Sequence, residues 1–282
     1  MTFGSLFAGI GGFDLGLERA GMECRWQVEI DAYASSVLAK HWPGVTRWGD
    51  VRTFPVGDPA DWQVDLICAG VPCQPVSHAG KQKGANDERW MWGEALRVVA
   101  DLCPRFFVAE NPIGLLNHDG GRTFHGILRA FASVGYVCEW HVIAAADVGA
   151  PHRRQRVWLV ADANGRRRER QRLKKHGDQQ STSGDLAYGC SSWGRWARQA
   201  FADSNGARLE IRQTQNAERA RQEGRPEPCR AQRWATEPNV GRVAHGVPNR
   251  VDRLRCLGNA VVPQVAEVIG RAIMAMETEV RA

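Results

Sequence analysis

Over the first 161 residues, short apolar runs alternate with stretches whose apolar positions recur every three or four residues. Runs of the first kind suit buried strands, and stretches of the second suit helices packed on them. Thr2 to Phe7 reads as a strand running into glycines, and Leu15, Leu17 and Ala20 mark a helix that ends at Gly21. Arg25 to Val28 forms a second strand leading to Glu29, followed by a helix from Tyr33 to His41. Strands are expected at 64–69 and 105–109, with a helix around 90–102 between them. Gly135 to Ala144 and Arg156 to Ala161 supply two more. Strands alternating with helices predict an α/β fold, a parallel-rich sheet with helices on both faces. Ligands of such sheets bind at the carboxyl ends of the strands.

The pattern breaks at 163–233. Only Leu173, Leu186, Phe201, Leu209 and Ile211 represent Leu, Ile, Val and Phe there. That is far below the level of about 20% under which a segment is expected to be disordered. The stretch also echoes itself: Ala161-Asp162-Ala163-Asn164-Gly165-Arg166 returns 41 residues later as Ala202-Asp203-Ser204-Asn205-Gly206-Ala207, with Arg208 following. Asn-Gly marks a tight turn in each copy. The echo is either a duplicated turn carrying arginines or a chance match within biased composition. From Glu237 folded character returns. Pro263 suits the first turn of a helix whose Val265, Ile269, Ala272 and Met276 share one face and should pack back on the first domain. The chain therefore divides at 1–162, 163–233 and 234–282.

Charge sharpens that division. The net charge is +6, but residues 163–233 hold 16 Lys/Arg against 8 Asp/Glu, leaving 21 against 23 elsewhere. One segment carries the whole basic excess, and such a patch attracts a polyanion. The length of 282 residues allows one large domain, or a domain with a smaller lobe. No charged-then-apolar leader opens the sequence, and no apolar run reaches the roughly 18 residues that span a bilayer. The eight cysteines are scattered without a Cys-x-x-Cys pair. Free thiols in a reducing cytosol are expected, with neither a metal site nor a disulfide framework.

Several residues at predicted strand ends carry chemistry. Phe7-x-Gly9-x-Gly11-Gly12 lets backbone approach a nucleotide-like ligand. Glu29 suits a bidentate acceptor for ribose hydroxyls, Asp50 an acceptor for an adenine amino group, and Val51 an apolar contact for its ring. No Walker lysine accompanies the glycines, which favours a nucleoside without a phosphate chain, as in S-adenosylmethionine. Cys73 lies in Val71-Pro72-Cys73-Gln74-Pro75, a proline-rich turn after an apolar strand. Cys68 and Cys103 read as small buried hydrophobes, whereas a thiol on such a turn stays within reach of a substrate. Glu110, in Glu110-Asn111-Pro112 after the next strand, can sit beside it as an acid. Arg154 and Arg156 alternate before a strand and would face one side of an extended chain, toward a base oxygen or phosphate.

In this order the motifs resemble the DNA cytosine-5 methyltransferases, over about residues 1–161 and 237–275. The resemblance implies a Rossmann-like mixed sheet that uses S-adenosylmethionine, with 163–233 as a small target-recognition region that orders fully only on DNA. It makes Cys73 the nucleophile at cytosine C6, Glu110 the acid at N3, and Asn111 the residue ordering the loop. Arg156, with Arg154, would contact the base. Phe7, Gly9, Gly11, Gly12, Glu29, Ile30, Asp50, Val51, Pro72 and Asn259 would line the methyl-donor pocket. Gln74, Ser77, Lys81, Lys83 and Arg89 fall in a loop that closes over DNA, and Arg166 and Arg208 would join it on the duplex. Two departures stand out: His152 replaces a frequent glutamine, and Ile30 replaces a frequent aromatic beside the adenine. Double-stranded DNA is the implied partner, a restriction endonuclease a candidate one, and a cytoplasmic monomer of bacterial or phage origin the implied form. An RNA cytosine-5 methyltransferase and a catalytically silent DNA-binding scaffold are the alternatives. A general nucleotide-binding oxidoreductase accounts for the glycines alone.

Overall fold

The computed structural model describes residues 1–72, 91–163 and 249–281. Among these residues seven strands form one sheet: β1 Thr2–Leu6, β2 Glu23–Val28, β3 Thr46–Trp48, β4 Leu66–Ala69, β5 Phe106–Pro112, β6 Val137–Ala144 and β7 Gln155–Asp162. Their spatial order is β3-β2-β1-β4-β5-β7-β6. The first five in that order run parallel, and β7 is antiparallel to both of its neighbours. The helices are α1 Gly12–Arg19, α2 Ala32–His41, α3 Trp92–Leu102, α4 Gly114–Asn117, α5 Arg122–Ser133, α6 Arg250–Asn259 and α7 Pro263–Arg281.

The central strands are apolar on both sides because both sides are covered. Ile67, Ala69, Phe107, Ala109, Val157 and Leu159 pack with α3 and α5. Their neighbours Leu66, Cys68, Phe106, Val108, Trp158 and Val160 pack with α1 and α7. A bulge between β1 and β2 departs from strict alternation: Phe3 pairs with Cys24 but Gly4 with Trp26, leaving Arg25 as the extra residue. The indole of Trp26 then covers Gly4, where a Cβ would lie 2.1 Å from the ring. Gln27 is turned toward α1 instead.

The helix at 263 starts at its proline, and Val265, Ile269, Ala272 and Met276 are all buried as their spacing predicts. It lies directly on α1. A Cβ on Gly12 would stand 2.4 Å from the Val261 carbonyl oxygen, and one on Gly16 would stand 2.4 Å from that of Pro263. Arg105, just ahead of β5, pairs with Glu277 on the same helix.

Most predicted elements lie within a few residues of those found. Four were not foreseen. Helix α4 is a single turn, Gly114–Asn117, too short for a periodicity to show. Strand β3 has only three residues, too few for a pattern. Helix α5 buries Phe124, Ile127 and Phe131, whose spacing was readable in the sequence. Helix α6 leaves Val251, Leu254 and Leu257 exposed, so no core signal marks it. Cys103 is a correction: it is exposed, and it ends α3 in the left-handed region with φ 47°, whereas Cys68 is fully buried as expected. Among the described residues no helix is long and apolar enough to cross a membrane. The basic segment and its Asn-Gly echo lie outside the described residues, apart from 161–163.

Close packing of α1 on α7 makes Gly16 the sensitive position. Gly16→Val should lower the urea unfolding free energy by about 1–3 kcal/mol, because the added atoms meet Pro263 backbone and Ala266. Gly126→Ala, in α5 with open space around it, should be neutral or stabilise by up to about 1 kcal/mol.

Candidate active site

The glycine loop leaves β1 through a turn that few side chains tolerate. Phe7 has φ 52°, Gly9 φ 57° and Gly11 φ 84°, all in the left-handed region that favours glycine. Gly9 has open space where a Cβ would stand, so its backbone conformation is what demands glycine there. Gly11 also meets the Trp42 ring, 2.4 Å from a Cβ, and it opens α1. Glu29, just past β2, accepts the Gly9 amide at 2.7 Å and the Asp31 amide at 2.7 Å. The carboxylate is thereby aimed at the loop as a two-oxygen acceptor, the disposition a ribose diol needs. Ile30 beside it is 69% exposed and free to lie against a ligand.

Asp50 lies past the end of β3, bound by Arg52 at 2.7 Å, and that guanidinium holds its carboxyl below the usual carboxylate range. An adenine amino group would have to share or displace this pair. The Val51 side chain is buried in the core with Phe54, and its carbonyl accepts Arg97 at 2.8 Å. The donor set suits an adenosyl group: carboxylates at the ends of β2 and β3, and an open glycine loop between β1 and α1.

A second group of residues stands at the end of β5. Glu110 is 7% exposed, and its Oε1 accepts Arg156 Nε at 2.8 Å. The antiparallel register explains the meeting: Pro112 pairs with Arg156 and Glu110 with Trp158, so Glu110 and Arg156 project from one face. Burial raises the Glu110 carboxyl from 4.5 to about 7, with the charges of Arg156 and Arg154 acting against that rise. The carboxyl can therefore hold or release a proton near neutrality, as a general acid must. Asn111 points to the other face, where its Nδ2 donates to the Val71 carbonyl at 3.1 Å. That bond fixes the backbone two residues ahead of Cys73, next to Pro72.

Arg154 was expected on the same extended run as Arg156. It is not: φ is 29°, ahead of β7, and Nη1 and Nη2 donate to the carbonyls of Gly258 and Ala260, each at 2.8 Å. Asn259, between those carbonyls, is exposed at the end of α6. Cys73, Gln74, Ser77, Lys81, Lys83, Arg89, Arg166 and Arg208 lie outside the described residues.

Two features were not anticipated. Asp14, fully buried in the first turn of α1, accepts Ser5 Oγ at 3.0 Å and Gln27 Nε2 at 2.8 Å. It ties α1 to β1 and β2 beneath the glycine loop. The sequence signal was an acid one residue inside an apolar helix face. Arg255 of α6 reaches Asp31, the cap of α2, at 2.6 Å, so this helix leans over the Glu29 end of the pocket. Among the described residues no cluster of three or more metal-ligating side chains occurs.

Because the folded chain holds a proton on Glu110 that an unfolded chain releases, that carboxyl favours folding at low pH. Its contribution is lost as pH rises from 4.5 through about 7. A carboxyl titration followed by isotope-edited infrared or NMR should show a midpoint near 7, and Arg156→Met should move it upward by removing an opposing cation. A wild-type midpoint near 4.5 would mean that water reaches the group.

Comparison with known proteins bears on this arrangement. A family model described as C-5 cytosine-specific DNA methylase matches residues 1–227. The Type II methyltransferase M.NgoMIV of Neisseria gonorrhoeae is 37% identical over 202 residues, which is 70% of this chain and 63% of that protein. The Type II methyltransferase M.BsuFI of Bacillus subtilis is 38% identical over 161 residues, 57% of this chain and 39% of that protein. The chain thus spans 39% to 63% of the length of these relatives. Among solved structures, the S. pombe Dnmt2 methyltransferase superposes with a TM-score of 0.55 at 16% identity, covering 98% of this chain and 99% of its own, a likeness of fold. With the Rossmann-like mixed sheet in place and most of its length matched, the chain belongs to the C-5 cytosine-specific DNA methylase family.

Proposed function

We propose that this protein transfers a methyl group from S-adenosylmethionine to C5 of cytosine in duplex DNA, through a covalent bond between Cys73 and C6. The observation that carries the reading is Glu110, a buried carboxyl raised to about 7 and braced by Arg156. Its neighbour Asn111, on the other face of β5, donates to the Val71 carbonyl two residues ahead of Cys73.

Cytosine C5 is too poor a nucleophile to be methylated directly at useful rates. In this mechanism the Cys73 thiolate adds to C6, the ring electrons move toward N3, and Glu110 delivers a proton there. Arg156 stays against Glu110 and is placed to reach a base oxygen, and Asn111 holds the turn that carries the nucleophile. S-adenosylmethionine, when bound, would supply an electrophilic methyl group to C5, the carbon that addition of the thiolate makes electron-rich. A solvent base takes the C5 proton as the Cys73 thiolate is expelled, which restores the aromatic ring, and the N3 proton returns to Glu110. The target base must be flipped out of the stack, at a cost of a few kcal/mol. Glu29, Ile30, Asp50, Val51, Pro72, Asn259 and the glycine loop form the methyl-donor pocket in this reading. Gln74, Ser77, Lys81, Lys83 and Arg89 close on DNA, and the basic segment with Arg166 and Arg208 chooses the site. The Type II methyltransferase names of the bacterial relatives support a site-specific enzyme. A monomer of the bacterial cytoplasm, paired with a restriction endonuclease, completes the reading.

Plasmid from cells expressing the intact chain, mapped for 5-methylcytosine at base resolution, should be modified at one short motif. Cys73→Ser should abolish the modification, and Glu110→Gln should slow it by about 10²–10⁴-fold. Methylation of tRNA instead of plasmid would move the reading to RNA, and a cofactor-binding chain that methylates neither would be a silent scaffold.

A further inference from the structure

Arg154 has no obvious reason to be strained. A non-glycine residue in the left-handed region costs about 1–3 kcal/mol, and its φ of 29° persists just ahead of a regular strand. The return for that strain is a fork. Its two terminal nitrogens grip the carbonyls of Gly258 and Ala260, more than one hundred positions away and on either side of Asn259. The segment so held is already pressed on the other side. The Val261 carbonyl would be 2.4 Å from a Cβ on Gly12, and its side chain would be 3.7 Å from one on Gly70. Residues 258–261 therefore form a wall between the glycine loop, the end of β4 and the start of β7. Gly258 and Asn259 are the last residues of α6, and 260–262 is the gap before α7, so no continuous helix holds the segment in place.

We propose that Arg154 is a positioning residue that clamps the 258–261 wall, and with it Asn259, onto the methyl-donor pocket, so that it governs cofactor affinity and not base contact. The inference rests on reading the glycine loop as the S-adenosylmethionine site. A planar, two-pronged donor suits two carbonyls one residue apart from their shared neighbour, whereas a lysine reaches one at a time. Arg156 differs in kind: its Nε is committed to Glu110 and its Nη1 to the Gln155 carbonyl.

The test uses the full chain and plasmid duplex. Loss of two charge-assisted hydrogen bonds should weaken S-adenosylhomocysteine binding, read by calorimetry, by about ten- to a hundredfold in Arg154→Met. The KM for S-adenosylmethionine should rise in step, while the affinity for duplex stays within about threefold. Arg154→Lys should fall between wild type and Arg154→Met, and it serves as the readout where the methionine variant does not fold. Hydrogen exchange should show backbone amides at 260–262 losing protection. Unchanged cofactor affinity with a lower kcat or weaker DNA binding would overturn the proposal and return Arg154 to the base. A wild-type chain that binds no S-adenosylhomocysteine would instead sink the cofactor reading, and the exchange data would still report on the clamp.

Discussion

Everything at the active end of the sheet depends on how closely α1 approaches the start of α7. Two glycines of α1, Gly12 and Gly16, leave no room between helix and backbone. Any side chain there would push away Val261 and Pro263, and with them the helix that completes one face of the sheet. The consequence reaches beyond stability. The approach delivers residues from the far end of the chain to the glycine loop at its beginning, so one pocket wall is made from the other end of the sequence. Gly270 repeats the device further along, where a Cβ would come within 2.8 Å of Ala20. Small residues on both helices convert a hydrophobic contact into a positional one.

Two buried carboxyls show how differently the same sheet uses a charge. Asp14 is sealed in, raised by burial, and surrounded by the hydroxyl of Ser5, the amide of Gln27 and the thiol of Cys24. Its hydrogen bonds are satisfied locally, and its work is to hold α1 to β1 and β2. Glu110 is nearly as deep, but its partner is a cation on a neighbouring strand, at the open end of the sheet. Desolvation pushes its proton affinity up and Arg156 pulls it down. The balance near neutrality arises from those opposed effects, and neither alone would leave a usable acid.

The elements differ in how far they could be read beforehand, and for identifiable reasons. Strands β4 and β5 are continuous apolar runs because both faces are covered, and α7 carries its buried face at helical spacing. Helix α5 was equally legible in Phe124, Ile127 and Phe131, yet it sits in a stretch that also carries polar and glycine positions. Strand β3 pairs only at its three residues with β2, and α6 has no buried face to announce it. Cys103 misled because its residue type suggests a core position while its place at a helix end exposes it.

The sequence by itself determined the α/β class, the residue types at the strand ends and the confinement of basic charge to one segment. These follow from local composition and spacing, which a chain carries whether or not it is folded. Only the tertiary structure decided what Glu110, Asn111 and Arg154 touch. The β5–β7 register turns Glu110 toward Arg156 and Asn111 toward Val71, and a one-residue slip would exchange those faces. Arg154 looked like the twin of Arg156 because they alternate in sequence. A left-handed backbone at 154 breaks that equivalence, and its partners, more than one hundred residues away, exist only once α1 and α7 have met.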